Sequence, residues 1–493
     1  MAFAVSGGVF FLSALNLSAD PAASENIREH HFRDGAAIRV HTTSAILKKA
    51  GEDRRFPARV LRAAVSGYTT ITQTAGFSSE GYSFAKPDKN YAADPDRTID
   101  IYLGLSDANG EGEENLHFGF GAAAFKDAPC FDTLKISPKE YQALIFLPAN
   151  YKEFIHKWEK INPSSLGPRD VNVDLKGTLI HELLHAVIFY YNRNLGKEPE
   201  AAGPGAKVDW YVEGLARYFE TLAGARHDFF SQGFKQKLPG KIRFSRGGSN
   251  YFMRYPDQGF SDLRYENALF WKFIHVRFGM QVIERLSRDL RGRGSEDWAD
   301  ALEGALGISI DKLLAEFAVA DLLKDFVAEE ESAFLKEIAR TRLSYRAGAF
   351  YLLDGQDRER VLGPTCATDW VGRWDQVKVS HGTAPAAGDN TEKSDVSGWA
   401  TDFYEIDFKE LKGRLPWIGL KAQGAGRTPL LQVMIVYKNG TFAVHQARAA
   451  VGVELERTVQ VDSMESSQVE KIYLMVTNPN AFTPVDYQIL SRA

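Results

Sequence analysis

The stretch Gly177–Asn192, GTLIHELLHAVIFYYN, places two histidines and a glutamate inside an otherwise apolar run. An α-helix has about 3.6 residues per turn, so residues four positions apart share a face. His181 and His185 therefore lie on one side of a predicted helix, where both rings can reach one ion, while Glu182 is rotated away by about 100°. A catalytic zinc site needs a third protein ligand and an open position for water.

The segment DWYVEGLARYFE, residues 209–220, supplies a candidate for that third ligand. Glu213 lies within a second predicted helix, and the small residues Gly214 and Ala216 suit close packing against the first helix. The alternative is a structural one, because histidines on apolar helix faces are more often core residues than metal ligands. Glu220 falls on the same face as Glu213, two turns further on, and we expect it to be exposed to solvent; the alternative is that it supports a metal ligand from behind.

With both motifs present, the sequence resembles the gluzincin metallopeptidases. HExxH is followed by W-x-x-E-G-x-A-x-Y, and its fixed positions are filled by Trp210, Glu213, Gly214, Ala216 and Tyr218. The family includes thermolysin-like enzymes, M1 aminopeptidases and bacterial collagenases, and the similarity covers about residues 90–280. The resemblance does not identify a subfamily.

The resemblance implies a role for each matching residue. His181, His185 and Glu213 match the zinc ligands, with one zinc ion per chain, and Glu182 matches the general base that activates a zinc-bound water. Tyr265, in the stretch RYENALFWKF, resembles the tyrosine that stabilises the oxyanion in M1 relatives. The competing candidates for this last role are Tyr251 and Tyr255.

The predicted edge strand before the first motif departs from the M1 pattern. M1 exopeptidases carry Gly-x-Met-Glu-Asn there, and the glutamate binds the free amine of the substrate. In this chain the stretch Gly119–Phe125 has no Glu or Asn. We therefore expect a zinc-dependent endopeptidase acting on polypeptides. The alternatives are an aminopeptidase, a zincin-fold hydrolase with a non-peptide substrate, and a non-enzymatic surface-binding protein with a vestigial metal site.

Hydrophobic patterning predicts an α+β domain followed by an all-β antiparallel sandwich, and the resemblance implies that the first of these is a zincin-like catalytic domain. We place the catalytic domain at residues 26–355, with a strand-rich half over 26–173 and a helical half over 174–355 that begins at an N-cap on Asp174. Short strands separated by turn residues fill 356–493, and Asn439-Gly440 predicts a hairpin. Residues 1–25 form a candidate leader or trimmed terminus, since their apolar centre lacks the basic residues of a normal signal peptide.

Composition excludes several classes of protein. A net charge of −5 with no long basic block argues against nucleic acid as a partner, and no apolar run reaches the length of a transmembrane helix.

Cys130 and Cys366 fit one disulfide or two thiols equally well, and we expect a secreted or periplasmic protein, with the cytoplasm as the alternative. DANGEGEE, residues 107–114, has calcium-type oxygen ligands at alternate positions, but an ordinary solvated turn is favoured. The oligomeric state is not indicated.

Overall fold

The computed structural model describes residues 25–51, 55–79, 97–104, 122–124, 143–153, 155–156, 170–192, 208–222, 236–238, 241–243, 259–260, 265–290, 298–323, 394–396, 398–407, 417–423, 427–438, 442–448, 468–481 and 483–492. Within these ranges no helix is both long enough and apolar enough to span a membrane. The chain forms two compact units. The first unit comprises Met1–Ser245 and Asn267–Asp297, and the second comprises Arg246–Glu266 and Trp298–Ala493.

A five-stranded mixed sheet is the centre of the first unit. Its strands are β1 (Glu25–His31), β2 (Ala37–Thr43), β3 (Thr98–Gly104), β4 (Ala122–Ala124) and β5 (Ala143–Pro148). They lie in the order β1-β2-β3-β5-β4, with β2, β3 and β5 parallel and the two outer strands antiparallel to their neighbours. Val40 pairs with Ile101, and Ile101 pairs with Ile145, so buried apolar side chains form a row across the sheet.

The helices of the first unit pack on this sheet and on one another. They are α1 (Ser44–Lys49), α2 (Phe56–Ala75), α3 (Val171–Tyr191), α4 (Asp209–Leu222), α5 (Ala268–Phe278) and α6 (Gln281–Asp289), and a small ribbon of β6 (Gln236–Leu238) and β7 (Lys241–Arg243) accompanies them. Helix α3 contacts α2, α4 and strands β4 and β5. At Gly67 of α2 an added Cβ would lie 3.3 Å from Cβ of Ile180, so glycine permits the close approach of α2 to α3.

The second unit combines two antiparallel sheets with two helices. The helices are α7 (Trp298–Leu306) and α8 (Ile310–Leu323), and the strands are β8 (Ser394–Val396), β9 (Thr401–Asp407), β10 (Trp417–Gln423), β11 (Leu430–Tyr437), β12 (Phe442–Arg448), β13 (Val469–Thr477) and β14 (Val485–Arg492). One sheet has the order β12-β11-β13-β9 and the other has the order β10-β14-β8. Helix α8 contacts β11 and β13. The predicted hairpin is present, since Val436 of β11 pairs with Phe442 of β12.

The start of α3 differs from expectation. The N-cap of α3 is Asp170, whose side chain accepts hydrogen bonds from the backbone N–H groups of Asn172 and Val173. Asp174, the predicted cap, lies in the first turn and is buried, so the helix begins one turn earlier than expected. In the compact units, α7 and α8 group with the strands that follow them.

Some sequence predictions fall outside the described residues and stay predictions. They concern the leader up to residue 24, the turn at 107–114, both cysteines, the domain boundary near 355, and the competing tyrosines 251 and 255. The sandwich also stays a prediction. What the second unit contains is a four-stranded and a three-stranded antiparallel sheet.

Candidate metal centre

Helix α3 carries the first two residues of the candidate site. It is buried along most of its length, and its inner face includes His181, which is 8% exposed. The ring of His185, one turn later, lies 4.6 Å from that of His181 between centroids. The i to i+4 spacing predicted from the sequence therefore brings the two imidazoles side by side. Glu182, the predicted general base, is also buried, at 8% exposure.

Helix α4 brings Glu213 to the two histidines. The helix is anchored at Trp210, which is fully buried and stacks on Trp271 of α5 with ring centroids 5.4 Å apart. The indole N–H of Trp271 also donates to the carbonyl oxygen of Trp210 over 3.2 Å. Gly214 and Ala216 are buried. Small side chains and an aromatic anchor thus hold α4 in place beside α3.

Three donor atoms converge at this contact. Oε2 of Glu213 lies 3.3 Å from Nε2 of His181 and 3.7 Å from Nε2 of His185. One ligand atom from each of the three residues lies within 4.8 Å of the others. Tetrahedral ligands at ~2.0–2.1 Å from zinc are separated by roughly 3.3–3.4 Å. The two separations between the carboxylate oxygen and the imidazole nitrogens are close to this value, as a shared zinc ion requires.

Glu220 belongs to the site, and the expectation that it faces solvent is wrong. It is 4% exposed, and its Oε1 lies 2.9 Å from Nδ1 of His181. Nη1 of Arg217 donates to both oxygens of the same carboxylate at 2.9 Å. A carboxylate on the second ring nitrogen is the usual partner of a metal-binding histidine, because it fixes the tautomer and the ring orientation. The signal in the sequence was the charged stripe at 213, 217 and 220 on a helix that is otherwise buried.

In the absence of a metal ion, the surroundings of the two histidines shift their pKa values in opposite directions. Burial disfavours the charged form of His181, but hydrogen bonds to Glu213 and Glu220 and the charges of Glu220 and Glu182 outweigh it and raise its pKa from 6.5 to about 10. For His185 burial outweighs the attraction of Glu213, and the pKa falls to about 4. His185 is therefore neutral at pH 7, while the proton on His181 lies beside Glu213, where a metal ion would replace it.

The two histidines differ in the hydrogen bond at their Nδ1 atoms. Nδ1 of His181 is bonded to Glu220, whereas Nδ1 of His185 is buried and makes no hydrogen bond to the described part of the chain. When Nε2 of His185 binds a cation, Nδ1 carries the proton, and a buried N–H without an acceptor costs about 1–3 kcal/mol. His181 is thus the better-oriented ligand of the pair.

Two further predicted features are Tyr265 and the edge strand, and the described structure bears on each of them differently. Tyr265 opens a short 3-10 turn, Tyr265–Asn267, is 38% exposed and groups with the second unit, so its role at the oxyanion stays a prediction. Strand β4 forms within the predicted edge strand, over residues 122–124, and pairs with β5 on one side. It lies at the end of the sheet among the described strands and contacts α3, the helix that carries both histidines.

Comparisons of this chain with family models, curated proteins and solved structures found no match, so the assignment of the site rests on its own residues and their geometry.

Proposed function

We propose that this chain is a zinc-dependent hydrolase that cleaves peptide bonds within polypeptides. The observation that carries the proposal is the convergence of His181, His185 and Glu213 from two helices, with ligand atoms within 4.8 Å of one another. Two imidazoles with one carboxylate form a donor set typical of catalytic zinc, which retains an open position for water. Glu220 behind His181 adds the outer support that such sites carry.

Glu182 is the residue that moves protons in this proposal. Bound zinc would supply a Lewis acid that lowers the pKa of a water molecule toward about 7. Glu182 follows His181 directly on α3 and is buried, its charge helps to raise the pKa of that histidine, and it is not one of the three donors. It accepts a proton from the attacking water and delivers it to the leaving amine.

The position of β4 supports an extended polypeptide as the substrate. A strand at the end of a sheet offers backbone N–H and C=O groups to a further strand, and a peptide can bind there by main-chain hydrogen bonds. Strand β4 contacts α3, so a peptide paired along it would lie near the residues of the site. The resemblance to gluzincins favours the same substrate class, and the lack of an acidic residue in 119–125 favours internal cleavage over removal of N-terminal residues.

Metal analysis combined with a peptide digest tests this function. Protein purified without chelator should contain about one zinc per chain and should cut an unbiased peptide mixture. Glu182→Gln should keep the zinc and lose at least about a hundredfold in turnover, the scale expected for a general base. Glu316→Gln, on the exposed side of α8, is the matched control and should keep full activity. Absence of bound zinc, or normal turnover by Glu182→Gln, would refute the proposal.

A further inference from the structure

Arg217 lies between two acidic residues on one side of helix α4. Glu213 precedes it by one turn and Glu220 follows it by one turn, and residues spaced in this way are neighbours on a helix. Nη1 of Arg217 donates to both carboxylate oxygens of Glu220 at 2.9 Å. The Arg217 side chain is 17% exposed and that of Glu220 is 5% exposed, so the ion pair is largely removed from water.

We infer that Arg217 is a positioning residue for the metal centre. It holds the carboxylate of Glu220 against Nδ1 of His181, so that Nε2 of the same ring stays directed at the metal. The inference rests on the proposed zinc site, and it adds a residue that lies outside the three donors and the general base.

The shared oxygen atom is the reason to separate this ion pair from an ordinary helix pair. Oε1 of Glu220 accepts from Arg217 and also lies 2.9 Å from Nδ1 of His181. An imidazole binds metal through one nitrogen, and the hydrogen bond at its other nitrogen decides which nitrogen carries the proton. A glutamate side chain has several rotatable bonds, so a second contact is needed to fix its oxygen. Arg217 provides that contact from within the same helix.

A second effect of Arg217 opposes the first. Its positive charge repels a divalent cation, but it lies against the carboxylate of Glu220, which also contacts His181. The positive charge of Arg217 is therefore paired with the carboxylate of Glu220. This pairing offsets most of the repulsion between Arg217 and the cation. Without Arg217 the carboxylate of Glu220 loses one of the charges that offset its burial, and its orientation is less well fixed. We expect the loss of positioning to be the larger effect.

Zinc affinity in a double-mutant cycle tests the inference. Competition with a chromogenic chelator would be measured for the full-length wild type, Arg217→Met, Glu220→Ala and the double variant. Arg217→Met should weaken zinc binding by about 10- to 100-fold, the usual effect of losing an outer partner. In the Glu220→Ala background the same change should not weaken binding further, and the loss of an unpaired positive charge can strengthen it. Arg39→Met, which removes a partly exposed ion pair with Glu29, is the matched control and should bind zinc normally.

A spectroscopic measurement reads the positioning directly. In zinc-loaded protein labelled with ¹⁵N-histidine, the Nδ1–H proton of His181 should exchange slowly with water, and Arg217→Met should speed that exchange. If Arg217→Met does not fold, Arg217→Gln takes its place with the same expected result.

The outcomes separate this inference from the function on which it rests. If the wild type and Arg39→Met bind no zinc, the zinc function fails and the inference fails with it. If the wild type binds zinc and Arg217→Met binds it as tightly or more tightly, Arg217 is not a positioning residue, and the zinc site stands. The same conclusion follows if Arg217→Met weakens binding equally in the Glu220→Ala background.

Discussion

The Oε2 atom of Glu213 on helix α4 lies 3.3 Å from Nε2 of His181 on helix α3. It is one of the contacts between ionisable groups of these two helices, together with those between His181 and Glu220 and between His185 and Glu213. In the metal-free protein it is an ion pair, because His181 is protonated at neutral pH. The same two atoms would bind zinc. The contact therefore leads to predictions for the protein without metal and for the zinc-bound protein.

Glu213→Gln should lower zinc affinity by more than about 100-fold, because the loss of a direct ligand exceeds the 10- to 100-fold effect of losing an outer partner. The amide keeps the shape of the side chain but lacks the charge that holds a cation. Chelator competition measures the change, with Glu316→Gln as the control. Unchanged affinity would show that the carboxylate of Glu213 is not a ligand.

Zinc binding should release about one proton from the two histidines between about pH 6 and about pH 8, in addition to the proton that the zinc-bound water loses at about pH 7. Both rings must be deprotonated at the donor nitrogen to bind the metal. His181, with a pKa raised to about 10, carries a proton throughout this range, whereas His185, with a pKa of about 4, carries none. The logarithm of the apparent affinity should therefore rise by at least about one per pH unit. Calorimetry in buffers of different ionisation enthalpy counts the protons, and a total of no more than about one at about pH 8 would contradict the raised pKa of His181.

The sequence predicted that His181, His185 and Glu213 converge, but not that Glu220 contacts His181. The spacing of His181 and His185 determines their face because helix geometry is regular, and Glu213 followed from its motif. The expectation that Glu220 is exposed was wrong because the exposure of a residue depends on which neighbouring helix covers it. The contact between α3 and α4 cannot be predicted from either segment alone. The N-cap has a similar explanation, since Asp170 and Asp174 are both capable caps and the burial of Asp174 decides between them.

The grouping of α7 and α8 with the strands was also beyond the sequence pattern. Hydrophobic periodicity indicates which face of a helix is apolar, but it does not say whether that face packs on helices or on a sheet. Leu313, Leu314 and Phe317 of α8 are buried, and this helix contacts β11 and β13. The change from helices to strands along the chain is therefore not the border between the compact units.

Gly259→Ala should destabilise the second unit. A Cβ at Gly259 would overlap the carbonyl oxygen of Gly398, and a main-chain atom cannot move aside as a side-chain tip can. Overpacking costs about 1–3 kcal/mol, and this change should lie at or above the upper end. Gly307→Ala is the matched control, because nothing lies within 4 Å of its added Cβ and only its φ of 72° is unfavourable. Urea unfolding should rank Gly259→Ala as the more destabilised, and the reverse order would contradict the close approach.

Glu303→Gln should lower the melting temperature at neutral pH and have little effect in acid. Burial disfavours the charged carboxylate, but the backbone N–H of Ile310 and the guanidinium of Arg427 outweigh it and hold the pKa of Glu303 below its usual 4.5. A lowered pKa stabilises the folded state above about pH 4.5, and that stabilisation is lost as pH falls through the folded value. Differential scanning fluorimetry across this range should show the two proteins converging, while Glu316→Gln differs little at any pH. A difference that stays constant with pH would mean that the charge of Glu303 contributes nothing.

The mode of cleavage gives the last prediction, and it rests on the proposed peptidase function. Strand β4 pairs with β5 on one side and contacts α3, the helix that carries both histidines. The stretch 119–125 around β4 has no acidic residue. A buried α-ammonium group without a carboxylate costs several kcal/mol, so a site that selects free amino termini needs such a partner. We therefore expect N-terminally acetylated peptides to be cut as readily as free ones, at internal bonds. Peptides with N-methylated backbone amides next to the cleaved bond should be poor substrates, because methylation removes the hydrogen-bond donors that pair with a strand. Mass spectrometry of timed digests distinguishes the modes, and products that shorten one residue at a time only from a free amino terminus would overturn the prediction.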